Sequence, residues 1–440
     1  MIDNKRLLRR MKIGFILTPG FRTADVVQTE AIFRIHPLNK IFFIAEKDGL
    51  VKGKSNFDLF ADTTYNNCPN LDILVIGEMS DKEIDNSRLL RFIAQKAPLA
   101  KYVIGISNGV WSLYMAGVLS KENVTADRAT LPLLEQAGLN VINERRCIVD
   151  GKFITSGPST GAMEAAFTVF QKTRGTWLAK FAEFNFEYND HALFNLNKEV
   201  ILKQPPLPQP FKIGVFSAPD LYITDIMGAA DVFGAIPNSE FYYMSHEKGK
   251  SKSIFSLGPT MNATTTFDNC PDLDVMIFGA THPRYIKDAK VLDFILKQEK
   301  NASAIISVCA GTFIVGSTGL LEGKEAATNY HQVIDLPKIG VYPTGKVVAE
   351  DGKYFSAGPV IGSYQVALKA VEKMVNKKWA QYIEHEVLEF APKPVLGTNP
   401  QTASKSILFA THSTISQMRR AFHPAIKKGY FGQGVDTSCT

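Results

Sequence analysis

The sequence predicts an α/β protein made of two copies of one domain, each a mostly parallel sheet covered by helices. Short apolar runs alternate with segments of helical period along the chain. These runs are continuously hydrophobic, which is typical of parallel strands buried on both faces. The order of motifs then repeats after about 200 residues, a period that indicates duplicated domains rather than a solenoid.

Matching strings in the same order support the duplication. NNCPNLDILVIG, ending at Gly77, returns as DNCPDLDVMIFG, ending at Gly279. GISNGVWSLYMAGVL, ending at Leu119, returns as SVCAGTFIVGSTGLL, ending at Leu321. Single residues match as well: Asp25 with Asp225, Trp177 with Trp379, and Glu187 with Glu389. We therefore expect both copies to have the same fold.

The duplication sets the expected domain boundaries. We expect a first domain over residues 1–203 and a second over residues 211–395, joined by Gln204 to Pro210. This linker reads QPPLPQP, which is typical of a stiff polyproline-type spacer. Residues 396–440 form a tail without a counterpart in the first copy, and Ser406 to Phe422 has helical spacing. A tail helix that covers its own domain is the favoured interpretation, and a helix that binds a partner is the alternative.

The first copy shows where strands are expected. Its apolar runs are Gly14 to Thr18, Phe42 to Ala45, Ile73 to Gly77 and Val103 to Ile106. Each copy also has a late segment around an Asp-Gly pair, which predicts a β-hairpin without chemistry of its own. These segments run from Val141 to Gly157 and from Val341 to Gly358.

The stretch from Ile305 to Leu321, IISVCAGTFIVGSTGLL, predicts a strand, a sharp turn at Cys309 and a helix. Because such sheets carry their chemistry at the carboxyl ends of strands, this turn is a candidate site. The sulfur would lie beside the helix N terminus, where free N–H groups and the helix dipole favour a thiolate. The alternative is a small, buried core residue. Ser107 occupies the same place in the first copy.

Composition and charge narrow the classes of function. The chain is 45% hydrophobic and 21% charged, which is typical of a soluble globular protein. Its net charge of +6 is spread over 440 residues with only short basic clusters, so we expect no nucleic-acid partner. No apolar run has the length of a membrane span or of a signal-peptide core, so we expect no membrane partner and a cytoplasmic location.

The motif content argues against cofactors. Five cysteines without a CxxC pair argue against a disulfide framework and a zinc site. No GxGxxG, Walker loop or HExxH string is present, so we expect neither a nucleotide nor a metal cofactor. Cys68 and Cys270 fall in the same Asn-Cys-Pro turn of both copies, and we assign no chemistry to them.

Several features together resemble the ThiJ/PfpI superfamily, which has a class I glutamine amidotransferase-like fold. They are an aspartate after the first strand, a strand ending in glycine, a Cys-x-Gly nucleophile elbow whose helix closes with Gly-Leu-Leu, and a late SAGP-x-x-G turn. The likeness covers residues 11–392 and is greatest to the isonitrile hydratase branch and to the amino-terminal domains of AraC-type regulators. It implies two flavodoxin-like, three-layer sandwiches that pair within the chain or as a homodimer.

The resemblance also implies roles for single residues. Cys309 matches the nucleophile, and Asp225 matches its acidic partner. Gly279 matches a glycine whose neighbourhood donates backbone N–H groups to the site, to which the N–H around Ala310 would add. From the residues alone, Asp225 is either a general acid/base or the cap of a helix that begins near Met227.

The sequence departs from the pattern of the branch in both copies. Ala310 stands where threonine is frequent, and Asn329 stands where a histidine is expected, with His331 displaced by two residues. Ser107 replaces the cysteine in the first copy, although Asp25 persists. These departures predict an active second copy and a degenerate first copy.

Some further side chains have open interpretations. His331 and His282 are candidate accessory residues, but a lone histidine after a strand is more often a surface residue or one with a structural partner. The context of Ser107, GISNG, fits the GxSxG pattern of serine hydrolases. A serine nucleophile needs a base, and the first copy has no histidine between Ser107 and His191. We therefore interpret Ser107 as a structural relic.

Three hypotheses of function follow. The favoured one is a cofactor-independent enzyme, of hydro-lyase or hydrolase type, in which Cys309 attacks a small electrophilic carbon compound such as an isonitrile. The alternative is a non-catalytic sensor of small molecules, related to the ligand domains of the regulators but without their paired helix-turn-helix units. The third is a redox-responsive protein in which Cys309 is oxidised.

Overall fold

Each of the two copies is built on a sheet of seven strands. The structure is a computed structural model that describes residues 8–144, 146–197, 199–253, 258–414 and 416. Helices flank both sheets, which confirms the predicted α/β class and the pair of mostly parallel sheets. Among the described helices, none combines the length and the apolar character needed to span a membrane.

The first copy contains eleven of the strands in chain order. They are β1 (Met11–Ile16), β2 (Asn39–Ala45), β3 (Leu50–Lys52), β4 (Asp58–Phe60), β5 (Thr63–Thr64), β6 (Ile73–Ile76), β7 (Tyr102–Ile106), β8 (Asn123–Val124), β9 (Asn140–Val141), β10 (Cys147–Asp150) and β11 (Phe153–Ser156). Its helices are α1 (Thr23–Arg34), α2 (Ser87–Lys96), α3 (Gly109–Met115), α4 (Leu131–Gln136), α5 (Thr160–Arg174) and α6 (Thr176–Asn185). The first strand ends before the predicted Thr18, because the Thr18 carbonyl accepts the Phe21 N–H in the turn that follows.

The second copy repeats this series. Its strands are β12 (Lys212–Phe216), β13 (Glu240–Ser245), β14 (Gly249–Lys252), β15 (Thr260–Ala263), β16 (Thr265–Thr266), β17 (Val275–Phe278), β18 (Ala304–Val308), β19 (Glu325–Ala326), β20 (Tyr342–Pro343), β21 (Val348–Asp351) and β22 (Tyr354–Ala357). Its helices are α7 (Thr224–Gly234), α8 (Ala289–Glu299), α9 (Gly311–Gly316), α10 (Ile361–Met374) and α11 (Lys377–Tyr382), and a π-helical turn, Ile383–Val387, follows. Short 3-10 turns lie at Lys54–Asn56, Ala97–Leu99, Phe267–Asn269, Pro283–Lys287 and Val333–Ile339.

The two seven-stranded sheets have the same topology. The first has the order β10-β11-β7-β6-β1-β2-β5, and the second has the order β21-β22-β18-β17-β12-β13-β16. Neighbouring strands are parallel except in β10-β11 and β21-β22, which are the two predicted hairpins. The carboxyl ends of β17, β18 and β22 therefore meet at one edge of the second sheet, where chemistry is expected.

The two copies pack against each other within one chain. Helix α1 lies against α7, and a single hydrophobic core cluster contains residues of both copies. Strands β3 and β4 of the first copy join β14 and β15 of the second in a four-stranded sheet, through the antiparallel pair Leu59 and Met261. The Tyr364 hydroxyl also donates to Gln28 Oε1 across the interface, at 3.1 Å.

The segment that follows each copy lies on the other copy. After the first copy, the N–H groups of Leu193 and Phe194 donate to Glu384, at 2.7 and 3.0 Å. After the second copy, the N–H groups of Leu396 and Thr398 donate to Glu183, at 2.9 and 2.8 Å. The two copies therefore exchange their C-terminal segments.

The tail helix covers the first copy rather than its own domain, which corrects the favoured interpretation. Residues 405–414 are helical, and the rest of the predicted helix, up to Phe422, lies outside the described residues except for residue 416. Ile407 is buried, and the Trp177 indole in α6 donates to Ser406 Oγ at 2.9 Å. The exchange of segments explains the correction, since the chain has already crossed to the first copy at Leu396.

The close crossing of α7 and α10 predicts a destabilising substitution, Gly228→Ala. A Cβ at position 228 would lie 2.7 Å from the Tyr364 backbone nitrogen, an atom that a side-chain rotation cannot move. Overpacking of this kind costs about 1–3 kcal/mol, which exceeds the gain of about 1 kcal/mol in helix propensity. We expect a lower free energy of unfolding in urea. The matched control is Gly345→Ala, whose Cβ would meet no atom within 4 Å; equal stability of the two variants would contradict the prediction.

Candidate functional site

The predicted strand, turn and helix are present around Cys309. Strand β18 ends at Val308, Cys309 has a φ of +57°, and α9 begins at Gly311. The Cys309 N–H donates to the Ala357 carbonyl at 2.9 Å. Ser107 has the same geometry, with a φ of +52° and a 2.9 Å bond from its N–H to the Ser156 carbonyl. The turn is therefore a property of the fold that does not depend on the sulfur.

Glycine is required two residues after each elbow. A Cβ at Gly311 would lie 2.4 Å from the Phe278 carbonyl oxygen, and one at Gly109 would lie 2.5 Å from the Ile76 carbonyl oxygen. Both contacts are to backbone, so any larger residue would push the helix away from the neighbouring strand. The close approach leaves the Ala310 N–H in hydrogen-bonding contact with the Cys309 sulfur.

Asp225 lies directly beside Cys309. Its carboxylate accepts the N–H groups of Ala280 at 3.1 Å and of Val360 at 3.4 Å, and it hydrogen-bonds with the Cys309 thiol. The helix begins at Thr224 rather than near Met227, and the carboxylate bonds to loops after β17 and β22. These contacts do not fit the capping interpretation.

Gly279 allows this approach of Asp225 to the sheet. A Cβ at Gly279 would lie 3.0 Å from Asp225 Cβ. The N–H of the next residue, Ala280, is directed at the Asp225 carboxylate. The structure thus places the Gly279 neighbourhood around the acid, while the N–H of Ala310 faces the sulfur.

Two polar residues that were not among the sequence-based candidates also contact the elbow. The Asn329 Nδ2 lies 3.4 Å from the Cys309 sulfur, and the Thr328 hydroxyl donates to the Cys309 carbonyl at 2.7 Å. Gln332 orients the amide, since its Oε1 accepts from Asn329 Nδ2 at 2.5 Å and its N–H donates to Asn329 Oδ1 at 3.1 Å. The only sequence signal was that Asn329 replaces an expected histidine.

The first copy contributes a carboxylate to the neighbourhood of the elbow. Glu187 Oε1 accepts the Tyr330 N–H at 2.6 Å. Burial raises the pKa of Glu187 to about 7, the Tyr330 N–H opposes that shift, and the Asp225 carboxylate adds to it. Glu187 matches Glu389 in the two copies, but its sequence context predicts no role, because a contact between copies leaves no signature in local spacing.

The electrostatics of the elbow differ from those of a helix N terminus alone. Burial, followed by the carboxylates of Asp225 and Glu187, raises the pKa of the Cys309 thiol, while the Ala310 N–H and the Asn329 amide lower it. Burial also raises the pKa of Asp225 to about 7. Thiol and carboxyl both resist ionisation, so near neutral pH the thiol keeps its proton while the carboxyl is partly protonated.

The two candidate histidines occupy different surroundings. The His331 ring packs against Phe184 of the first copy and Tyr330, with ring centroids 5.8 and 5.1 Å away. His282 Nδ1 accepts the Arg284 N–H at 3.2 Å and caps a 3-10 turn. His282 therefore has a structural partner, which is the usual alternative to an accessory role for a lone histidine.

The equivalent site of the first copy is charged. Arg22 and Glu78 stand where the second copy has Tyr222 and Ala280, and they form a buried ion pair with a 2.5 Å N–O distance. Lys54 also pairs with Glu78.

Ser107 and Asp25 lie within this charged site. Ser107 is fully buried, and its hydroxyl has no hydrogen-bond partner among the described residues. Asp25 retains one contact of its twin, since its Oδ1 accepts the Ser159 N–H at 2.9 Å.

A cleft lined by residues of both copies lies next to residues that contact the Cys309 elbow, although Cys309 and Asp225 do not line it themselves. Its volume is about 130 Å³, and its lining includes Glu187, Thr328, Gly358 and Gln365. Gly358 follows the strand residue that pairs with Cys309, and Thr328 bonds to the Cys309 carbonyl. Within the described ranges, no group of three or more His, Cys, Asp or Glu side chains is placed to hold a metal ion.

The carboxylate beside the thiol predicts that Asp225→Asn shifts the reactivity of Cys309. Removing the carboxylate removes a charge that raises the thiol pKa, so the midpoint of Cys309 alkylation should move to lower pH. The readout is the rate of iodoacetamide modification of the Cys309 peptide, measured by mass spectrometry across pH. Asp25→Asn is the control and should leave the midpoint unchanged. A shift to higher pH would refute the interaction.

The raised pKa values of the buried carboxyl groups also predict that the free energy of unfolding decreases as the pH rises. Burial raises the pKa values of Asp25, Glu30, Glu187 and Asp225 to about 7 and that of Asp231 to about 6. Their folded-state pKa values exceed the unfolded ones, so the stability they contribute is complete below about pH 4 and is lost as pH rises through 7. Each titrating carboxyl contributes a slope of about 1.4 kcal/mol per pH unit. Urea unfolding from pH 5 to pH 8 measures it, and a flat or rising curve would count against these protonation states.

Comparison with known proteins identifies the family. The DJ-1/PfpI family model matches residues 11–172 and again residues 212–373. The isonitrile hydratase of Pseudomonas putida is 31% identical over 221 residues, which cover 49% of this chain and 92% of that protein. A ThiJ/PfpI family protein from Pseudomonas syringae is 21% identical, with a TM-score of 0.48, covering 52% of this chain and 98% of that one. DJ-1 of Schizosaccharomyces pombe is 17% identical, with a TM-score of 0.35, covering 39% and 96%. The chain belongs to the DJ-1/PfpI family, with two family domains in tandem.

Proposed function

We propose that the second copy is a cofactor-independent enzyme in which Cys309 attacks a small electrophilic carbon. The observation that carries the proposal is the thiol–carboxyl pair of Cys309 and Asp225 at the end of β18. A general acid/base works best when its pKa lies near the operating pH, and burial raises the pKa of Asp225 to about 7.

Asp225 moves the proton in the first step. It takes the thiol proton as the sulfur attacks, and it then delivers that proton to the product of the attack. The Ala310 N–H and the Asn329 amide both contact the sulfur and stabilise the transient thiolate. The contribution of Ala310 is through its backbone, so the missing threonine hydroxyl does not remove it.

Isonitriles are the proposed substrate class, because a 31% identical relative is an isonitrile hydratase. Addition of the thiol across the terminal carbon forms a C–S and a C–H bond and gives a thioimidate. Water then adds to that carbon, the nitrogen takes one water proton, and the C–S bond breaks as the sulfur regains its proton. The products are an N-substituted formamide and the free thiol, so the reaction consumes one water and no cofactor.

The first copy is proposed to be catalytically inactive. The Arg22–Glu78 ion pair stands in place of the neutral side chains of Tyr222 and Ala280, and no histidine lies between Ser107 and His191 to act as its base. We propose that the first copy serves as a structural and electrostatic partner for the second copy.

A small-molecule sensor is the second candidate function. The observation that favours it is the raised pKa of the Cys309 thiol, which reduces the thiolate fraction at rest. A sensor would bind a metabolite in the cleft without turnover, and its thiol would resist alkylation.

Turnover by paired variants tests the enzyme. Wild type is incubated with small isonitriles, glyoxals and small amides, and product is followed by chromatography. We expect formamide formation from isonitriles and a loss of about a thousandfold or more in kcat for Cys309→Ser, because a serine hydroxyl is a much weaker nucleophile than a thiolate. Ser107→Ala should retain full activity. If no substrate is turned over and a small molecule binds tightly, the enzyme hypothesis is rejected in favour of the sensor.

A further inference from the structure

We propose that Glu187, contributed by the first copy, is a second acid–base group of the site in the second copy and activates the water that releases the product. This inference rests on the proposed function and extends it. With Glu187 in this role, the site in the second copy is incomplete without the first copy.

The backbone of the first copy aims Glu187 at the second. Glu187 follows α6 with a φ of +45°, a left-handed conformation that is uncommon for a residue with a side chain. The turn directs the carboxylate across the interface, where its Oε1 accepts the Tyr330 N–H at 2.6 Å. Its Oε2 occupies the space beside Gly358, since a Cβ there would lie 2.5 Å from this oxygen.

The two residues that Glu187 contacts are each next in the sequence to a residue that contacts Cys309. Tyr330 follows Asn329, whose amide touches the Cys309 sulfur. Gly358 follows Ala357, whose carbonyl accepts the Cys309 N–H. The Glu187 carboxylate therefore lies on the cleft side of the elbow, within electrostatic reach of both Cys309 and Asp225.

The chemistry requires a second base in addition to Asp225. Asp225 hydrogen-bonds with the thiol and two backbone N–H groups, so its place is beside the sulfur. In this proposal water approaches the thioimidate carbon from the side of the cleft, and one water proton must pass to the nitrogen. Glu187 lines that cleft, and burial raises its pKa to about 7, so the carboxylate accepts the water proton and returns it to nitrogen.

The duplication provides a matched control at Glu389. Glu389 has a φ of +44°, and its Oε1 accepts the Arg128 N–H at 2.8 Å, as Glu187 accepts that of Tyr330. It faces the first copy, where Ser107 replaces the cysteine and Arg146 is an electrostatic neighbour. The two glutamates therefore share backbone geometry but not chemistry.

Glu187→Gln and Glu389→Gln in the full chain test the proposal, with tert-butyl isonitrile as the probe. The amide keeps an oxygen for the Tyr330 N–H. We expect Glu187→Gln to lower kcat about 100-fold with little change in KM, because a general base contributes at least that factor. Product release, rather than attack, should be slowed. A thioimidate adduct on Cys309 should therefore accumulate in Glu187→Gln alone, as detected by mass spectrometry of the rapidly quenched protein.

A second readout does not depend on turnover. Removal of the Glu187 charge should move the midpoint of Cys309 alkylation by iodoacetamide to lower pH, and Glu389→Gln should leave it in place. Thermal melting of both variants reports whether they fold, and Glu187→Asp, which keeps the carboxylate, should recover part of the activity if the charge is what matters.

The outcomes separate the two proposals. If wild type hydrates the isonitrile but Glu187→Gln matches it, or loses activity without an adduct, the role of Glu187 is overturned while the proposed function stands. If wild type is inactive on isonitriles, that substrate class fails. An unchanged alkylation midpoint in Glu187→Gln would then overturn the acid–base role of Glu187 as well, whereas a shift to lower pH would support it.

Discussion

The packing of α1 against α7 is the constraint on which the rest of the structure depends. It joins residues of both copies in one hydrophobic core cluster and brings β3 and β4 beside β14 and β15. It also places the end of each copy over the elbow of the other, with Glu187 at Tyr330 and Glu389 at Arg128. Because one chain carries both partners, their pairing does not depend on protein concentration.

One backbone thus supports two electrostatic environments. The elbows share their left-handed residue, their glycine and their bond to the adjacent strand. Around Cys309 the side chains are neutral or weakly acidic, whereas around Ser107 an arginine and a glutamate form a buried ion pair. A buried pair is stable only while both partners remain, so the first site cannot lose one charge without cost.

Sequence alone was sufficient for the features that are local or repeated. The strand, turn and helix at Cys309, the hairpins and the duplication all depend on neighbouring residues or on matching strings. Contacts between distant residues were not accessible: Glu187 meets Tyr330 across 143 positions. The direction of the Cys309 pKa was missed for the same reason, because it follows from burial and from carboxylates on other elements. The predicted position of the tail helix was wrong, because an exchange of segments between copies leaves no trace in the periodicity of the sequence.

The exchange of C-terminal segments also bears on how the chain is made. Glu183 of the first copy receives its backbone partners from Leu396 and Thr398, which are synthesised 213 and 215 residues later. The first copy is therefore synthesised long before the strands and segments that cover it. Its exposed α6 and unpaired edge must wait for roughly 200 further residues, about 10–40 s at ordinary translation rates. The order of the two copies along the gene thus decides which surface is left open during synthesis.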